Sequence, residues 1–265
     1  MNGTILLAGD SHVQTALNDT LIKSTINISQ AGEQYIFTYF KLLKLLDHNI
    51  KIHSIYLGFA NHNISSYRDH DDLGEFDISA YYFCILPCEE KARFIQHHYK
   101  MLIPYIKEIL KSGFQNATNK NKPPFFLGHS LNINETITPT KISIEQRVLS
   151  QYYIGNKLCS ISSSQLMYLD KIVELCQSKS IKLIMLNTPI HPSYKSKIPI
   201  VFQNKYQDIL DKYNLQKVDL SNLVKNDNLF LPDGDHLNAK GATVFSTYFN
   251  DSIAGKLSAG FLKVN

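Results

Sequence analysis

The sequence predicts an α/β fold: a mostly parallel, five-stranded sheet covered by helices on both faces and interrupted by one long insertion. Three observations predict it. Short apolar, β-branched runs alternate with stretches whose apolar residues recur at helical spacing. The runs stop at turn-forming residues. A chain of 265 residues holds one substantial domain, whereas a second full domain would be cramped.

Residues 4–9 are a short apolar run that stops at Gly9-Asp10-Ser11, the pattern of a buried strand meeting a turn. Residues 24–29 alternate and are β-branched, and residues 54–59 form a third strand candidate near Gly58. A fourth covers 182–187, stopped by Thr188-Pro189, and a weaker fifth covers 216–220. Between them, Ile36, Phe40 and Leu43 mark one helical face, and Leu166, Leu169, Val173 and Cys176 mark another. Ala242, Phe245 and Phe249 repeat the spacing in a last helix, with Asn238 as its cap.

Residues 61–160 break this rhythm and read as an insertion within a single domain spanning 1–265. Ile95, Leu102, Ile106 and Ile109 fall on one helical face that Pro104 should kink, and residues 113–140 read as a long polar loop. The insertion is expected to lie over the carboxyl edge of the sheet and shape the substrate pocket, its polar loop being protease-sensitive.

Composition narrows the function. Hydrophobic residues make up 44% and charged residues 19%, as in ordinary globular proteins. The net charge of +4 comes from scattered lysines without a block of like charge, so no nucleic-acid footprint is present. Four cysteines are too few and too irregular for a disulfide framework, and Cys84-x-x-x-Cys88 has no second ligand pair for a metal site, so they read as buried or spare thiols; no cofactor is expected. No run is long enough to span a bilayer and no leader pattern precedes the first strand. The chain as given reads as cytoplasmic, with the cell envelope as its location if a leader or anchor precedes it. Its oligomeric state is not legible.

Two distant segments carry chemistry. Gly9-Asp10-Ser11-His12 falls where the first strand ends and a helix begins, the edge at which open α/β sheets bind ligands. Taken alone it is better explained by helix capping. Asp233-Gly234-Asp235-His236, just before the final helix, offers a base and an acid on one turn, which a serine hydroxyl needs to become a nucleophile. Adjacent turn residues point apart, so Asp233 is expected to orient Nδ1 of His236, with Nε2 facing Ser11 and Asp235 left to the loop backbone, the helix start or solvent.

Together the two segments resemble the SGNH or GDSL-like hydrolase superfamily. The run Asp235-His236-Leu237-Asn238-Ala239-Lys240-Gly241-Ala242 is most similar to the branch holding envelope polysaccharide O-acetyltransferases and related esterases. The resemblance covers the core strands and implies a three-layer, flavodoxin-like α/β/α sandwich. It implies Ser11, Asp233 and His236 as a triad, and an oxyanion hole from the amides of Ser11 and Gly32 with a third donor after strand three. There the usual Gly-x-Asn-Asp is replaced by Gly58-Phe59-Ala60-Asn61-His62, leaving Asn61, or else His62 or Asn63, as that donor. His12, His62, His191 and Tyr194 are the candidate substrate contacts. The function implied is a serine esterase acting on a short acyl ester such as an O-acetylated carbohydrate. The alternatives are an O-acyltransferase on a cell-envelope glycan and a non-catalytic carbohydrate-binding or assembly protein.

Overall fold

The computed structural model describes residues 4–70, 82, 85–98, 128–129 and 138–254. In chain order the elements are β1 (Thr4–Ala8), α1 (Ser11–Ala16), β2 (Thr25–Asn27), α2 (Tyr35–Asp47), β3 (Ile52–Gly58), α3 (Cys88–His98), α4 (Lys141–Tyr152), β4 (Tyr153–Ile154), β5 (Lys157–Leu158), α5 (Ser163–Ser178), β6 (Lys182–Asn187), α6 (Pro192–Lys195), α7 (Ile200–Tyr213), β7 (Gln216–Asp219) and α8 (Ala239–Phe249). They fall into two compact units, Met1–Asp71 with Leu127–Asn265, and Asp72–Phe126. The second unit is shorter than the expected insertion, since residues 61–71 and 127–160 belong to the first.

In the first unit five strands form a parallel sheet in the order β2-β1-β3-β6-β7. Strand alternation sorts the core into two layers. Leu6, Ala8, Ile55, Leu57, Leu183 and Met185 face one cluster with Leu42 of α2, Leu169 and Val173 of α5 and Phe202 of α7. Ile5, Leu7, Tyr56, Ile184 and Leu186 face the other with Val13 of α1 and Phe245 and Phe249 of α8. Helices on both faces make this a three-layer α/β/α sandwich, which explains why the central strands read as unbroken apolar runs. β4 and β5 pair separately as a short antiparallel hairpin.

Two details differ from the sequence expectation. The inward face of α2 is carried by Tyr35, Phe37, Thr38, Lys41 and Leu42, while Ile36 and Phe40 are only half-buried. The reason is polar: Lys41 turns inward to pair with Glu33 at 2.6 Å, rotating the buried face away from the purely apolar stripe. Helix α4 starts directly after the expected 113–140 loop, in a part of the insertion where the sequence expectation places no element, and is capped by Thr140, whose side chain accepts from the Ser143 amide. In the second unit, α3 starts at Cys88 and its Arg93 bonds Glu89 one turn earlier. Ile95 on it is exposed, which fits an outward face and not the apolar stripe expected of it. Leu102, Pro104, Ile106, Ile109 and nearly all of the 113–140 loop lie outside the described residues. No described helix is long and apolar enough to cross a membrane.

Candidate active site

Sheet order places β1 between β2 and β3, so the chain leaves it at the point where connections diverge to either side. Ser11 stands there as the first residue of α1. Its N–H has no carbonyl available within the helix. Asp10 is the cap, its side chain accepting from the His12 amide at 3.0 Å.

The Asp-x-x-His turn approaches from the other end of the chain. Asp233 Oδ1 accepts the backbone amides of Asp235 at 2.9 Å and His236 at 3.2 Å, which closes the turn. Its Oδ2 lies 2.7 Å from His236 Nδ1, and His236 Nε2 lies 2.8 Å from Ser11 Oγ. Burial works against the Asp233 charge, but the adjacent His236 ring prevails and holds the carboxyl below its ordinary range. Directly after the turn, Gly241 sits in the first turn of α8, where an added Cβ would lie 2.1 Å from the Leu229 carbonyl oxygen. Only glycine lets the helix seat that closely against the short 3₁₀ turn that ends at Leu229.

Gly32 occupies the third position of a turn closed by the Glu33 amide on the Gln30 carbonyl at 3.1 Å. Its φ of +76° is what that position demands, and its own amide is left outside the turn's hydrogen bond. Gln14 of α1 fixes this turn to the helix that carries Ser11 by accepting the Ala31 amide at 2.8 Å. After β3, His62 Nε2 bonds Asp10 Oδ2 at 2.7 Å, and the Asn63 side-chain amide donates to the same oxygen at 3.0 Å. Both side chains are thereby committed to holding the Asp10–Ser11 turn. Asn61 is not; it lines a small cavity of about 20 Å³ with His12, His62, Asn187 and Tyr194, and its Oδ1 has no partner there.

The candidate substrate contacts are largely occupied by the protein itself. His62 is buried against Asp10, and Tyr194 is buried with its hydroxyl on Gln151. His191 caps α6 through Nδ1 and meets Asp227 at 3.0 Å through Nε2, so both ring nitrogens are engaged. His12 is buried behind Ser11, its ring stacked on His62 at 4.0 Å and tilted against His236 at 4.9 Å.

Asp235 is not in solvent or on the loop backbone, as the sequence suggested; it is fully buried. Its Oδ2 accepts from Arg147 Nε at 2.7 Å and Gln151 Nε2 at 2.8 Å, and its Oδ1 lies 3.0 Å from His12 Nε2. Burial opposes its charge, but His12 and Arg147 hold it well below the usual carboxylate range. Arg147 and Gln151 went unread in the sequence because helix α4 did, although Ile144, Val148 and Tyr152 at four-residue spacing were its signal. His12, Asp235 and His236 bring potential metal-ligand atoms within 4.8 Å of one another. Arg147 already neutralises the negative charge that Asp235 would offer such an ion, so the cluster does not suit a cation.

The buried histidines give the fold a specific pH response. Burial, then the neighbouring His12, pulls His62 down to about 4, with Asp10 and Asp235 pulling the other way. An unfolded histidine titrates near 6.5, so between that value and about 4 the unfolded chain holds the extra proton and stability falls as pH falls. His12, whose pKa is raised, contributes stability that is fully present below the unfolded value, so it does not share this loss toward acid pH. Urea unfolding should show stability lower at pH 4.5 than at pH 6.5 by about 2 kcal/mol more in the wild type than in His62→Gln. Equal losses in the two proteins would contradict this account.

With this geometry in view, the comparisons with known proteins are distant. A family model without a functional description matches residues 150–258. No curated protein matches the chain. Among solved structures the chain is similar to a protein assigned to the G-D-S-L lipolytic family from Desulfitobacterium hafniense DCB-2, at 12% identity and a TM-score of 0.45, covering 94% of this chain and 99% of that one. It is also similar to a protein assigned as an acylhydrolase from Bacteroides fragilis NCTC 9343, at 13% identity and a TM-score of 0.43, covering 96% and 88%. The chain's own strand order is that of a flavodoxin-like parallel sheet, and its Gly-Asp-Ser turn after β1 and its Asp-x-x-His turn before the last helix stand where the resemblance to SGNH/GDSL-like hydrolases implies them.

Proposed function

We propose that this chain is a serine-dependent ester hydrolase acting on a short acyl group, such as an O-acetyl on a carbohydrate. The observation that carries the reading is the continuous line from Ser11 Oγ to His236 Nε2 at 2.8 Å and from His236 Nδ1 to Asp233 at 2.7 Å. A binding protein on the same fold has no need of a serine hydroxyl aimed at a histidine that is itself oriented by a carboxylate.

In this mechanism His236 Nε2 takes the Ser11 proton as Oγ bonds to the ester carbonyl carbon. The resulting oxyanion is held by the amides of Ser11 and Gly32 and by the Asn61 side chain. Asn61 is favoured over His62 and Asn63 because those two are engaged with Asp10. The His236 imidazolium returns its proton to the departing alkoxide, leaving the acyl group on Ser11. Water then attacks the acyl-enzyme, losing its proton to His236, and the carboxylic acid leaves as Oγ recovers its hydrogen.

The short acyl group rests on the resemblance to O-acetyl esterases, not on a cavity at Ser11. Aryl esters of increasing chain length test it: kcat/KM should be highest for acetate and fall at least about tenfold by octanoate. A preference for octanoate would overturn the short-acyl assignment, and no turnover of any ester would overturn the hydrolase.

A further inference from the structure

We propose that His12 and Asp235 form a positioning ion pair that sets the Ser11–His236 contact, each partner being the chain neighbour of a triad residue. The inference rests on the ester-hydrolase reading above. Ser11 and His12 open α1; Asp235 and His236 end the turn before α8. Two adjacent residues therefore face two adjacent residues, with Ser11 Oγ 2.8 Å from His236 Nε2 and His12 Nε2 3.0 Å from Asp235 Oδ1. The nucleophile turn and the base turn are 225 positions apart in sequence, so their alignment must be fixed by contacts of this kind.

The pair is built to hold position. Asp235 is anchored from its far side by Arg147 and Gln151, both on α4, so the base turn is referenced to a rigid helix. His12 is anchored in turn by its stack on His62, which Asp10 holds, and Asp10 caps the helix that carries Ser11. Asp235 and His12 are buried at 0% and 4% side-chain exposure, where removing either partner leaves the other's charge without compensation. Such pairs are weak sources of net stability, and their use here is to fix geometry. The 3.0 Å contact is out of line for a good hydrogen bond, so its attraction is mainly Coulombic.

The charge state agrees with this arrangement. Burial opposes protonation of His12, but Asp235, with Asp10 behind it, raises its pKa against the repulsion of Arg147. The other ring facing it, His62, is neutral near pH 7, so the stack holds one cation and not two.

The test compares wild type, His12→Gln and Asp235→Asn, singly and combined, using phenyl acetate kinetics and 15N NMR of the histidine rings. A misplacement of about an ångström costs on the order of 10²-fold. Each single variant should therefore lose about 10- to 100-fold in kcat, with KM within about twofold. The double variant should be little worse than the poorer single one, because the two residues act as one unit. In the spectra, His12 should be doubly protonated at pH 7, and the His236 ring nitrogens should shift when either partner is replaced. Full kcat in a folded single variant, multiplicative losses, or a neutral His12 at pH 7 would overturn the pair. If Asp235→Asn does not fold, His12→Gln decides, since it keeps the Arg147–Asp235 contact. A wild type without ester turnover overturns the hydrolase alone; the pair then stands or falls on whether His236 shifts in His12→Gln.

Discussion

Ser11→Ala should abolish ester turnover, lowering kcat by about 10⁵- to 10⁶-fold, while the protein stays folded. In the proposed mechanism this hydroxyl carries the acyl group, and its side-chain contact is with His236. Helix α1 keeps its cap in the variant because Asp10, not Ser11, accepts the His12 amide. Stability should therefore change by no more than about 0.5 kcal/mol, the usual range for a substitution that removes no packing. The oxyanion donors remain, so a residual rate above the uncatalysed one is expected. Kinetics with a thermal melt decide it, and undiminished turnover in a folded variant would end the nucleophile assignment.

Asp233→Asn should lower kcat by about 10⁴-fold, again without unfolding. Asparagine keeps the oxygen that accepts the Asp235 and His236 backbone amides, so the turn can still close. At the other oxygen it places an N–H donor against His236 Nδ1, where a carboxylate had accepted at 2.7 Å. The imidazole then carries its proton on Nε2 and presents a donor to Ser11 where a base is required. The loss should exceed that of Asp235→Asn by at least about tenfold, since Asp235 does not touch the His236 ring nitrogens. Larger damage from Asp235→Asn, measured in folded proteins, would reverse the assignment of the two acids.

These two expectations show what was legible in the sequence. The strands were readable because they are buried on both faces and bounded by turn residues, whereas Gly32 was reached only through the family resemblance, its positive φ being a feature of the structure. The choice between Asp233 and Asp235 followed from turn geometry alone, which needs no knowledge of distant contacts. What lies behind the site was not readable. Asp235 looked like a loop residue because its partners, Arg147 and Gln151, are 88 and 84 positions away on a helix whose short apolar pattern went unrecognised. His62 looked like a substrate contact because its residue type suits that role equally well, and only the 2.7 Å bond to Asp10 assigns it to the support of the nucleophile loop. The orientation of α2 was missed for a related reason: a buried lysine–carboxylate pair, invisible to hydrophobic periodicity, decides which side faces inward.

The central claim is that Ser11 is an activated nucleophile, and an activated fluorophosphonate tests it without knowledge of the substrate. Intact-mass analysis should show one label per wild-type chain, peptide mapping should place it on Ser11, and Ser11→Ala should take none. A wild type that stays unlabelled, or a label carried equally by Ser11→Ala, would contradict the account.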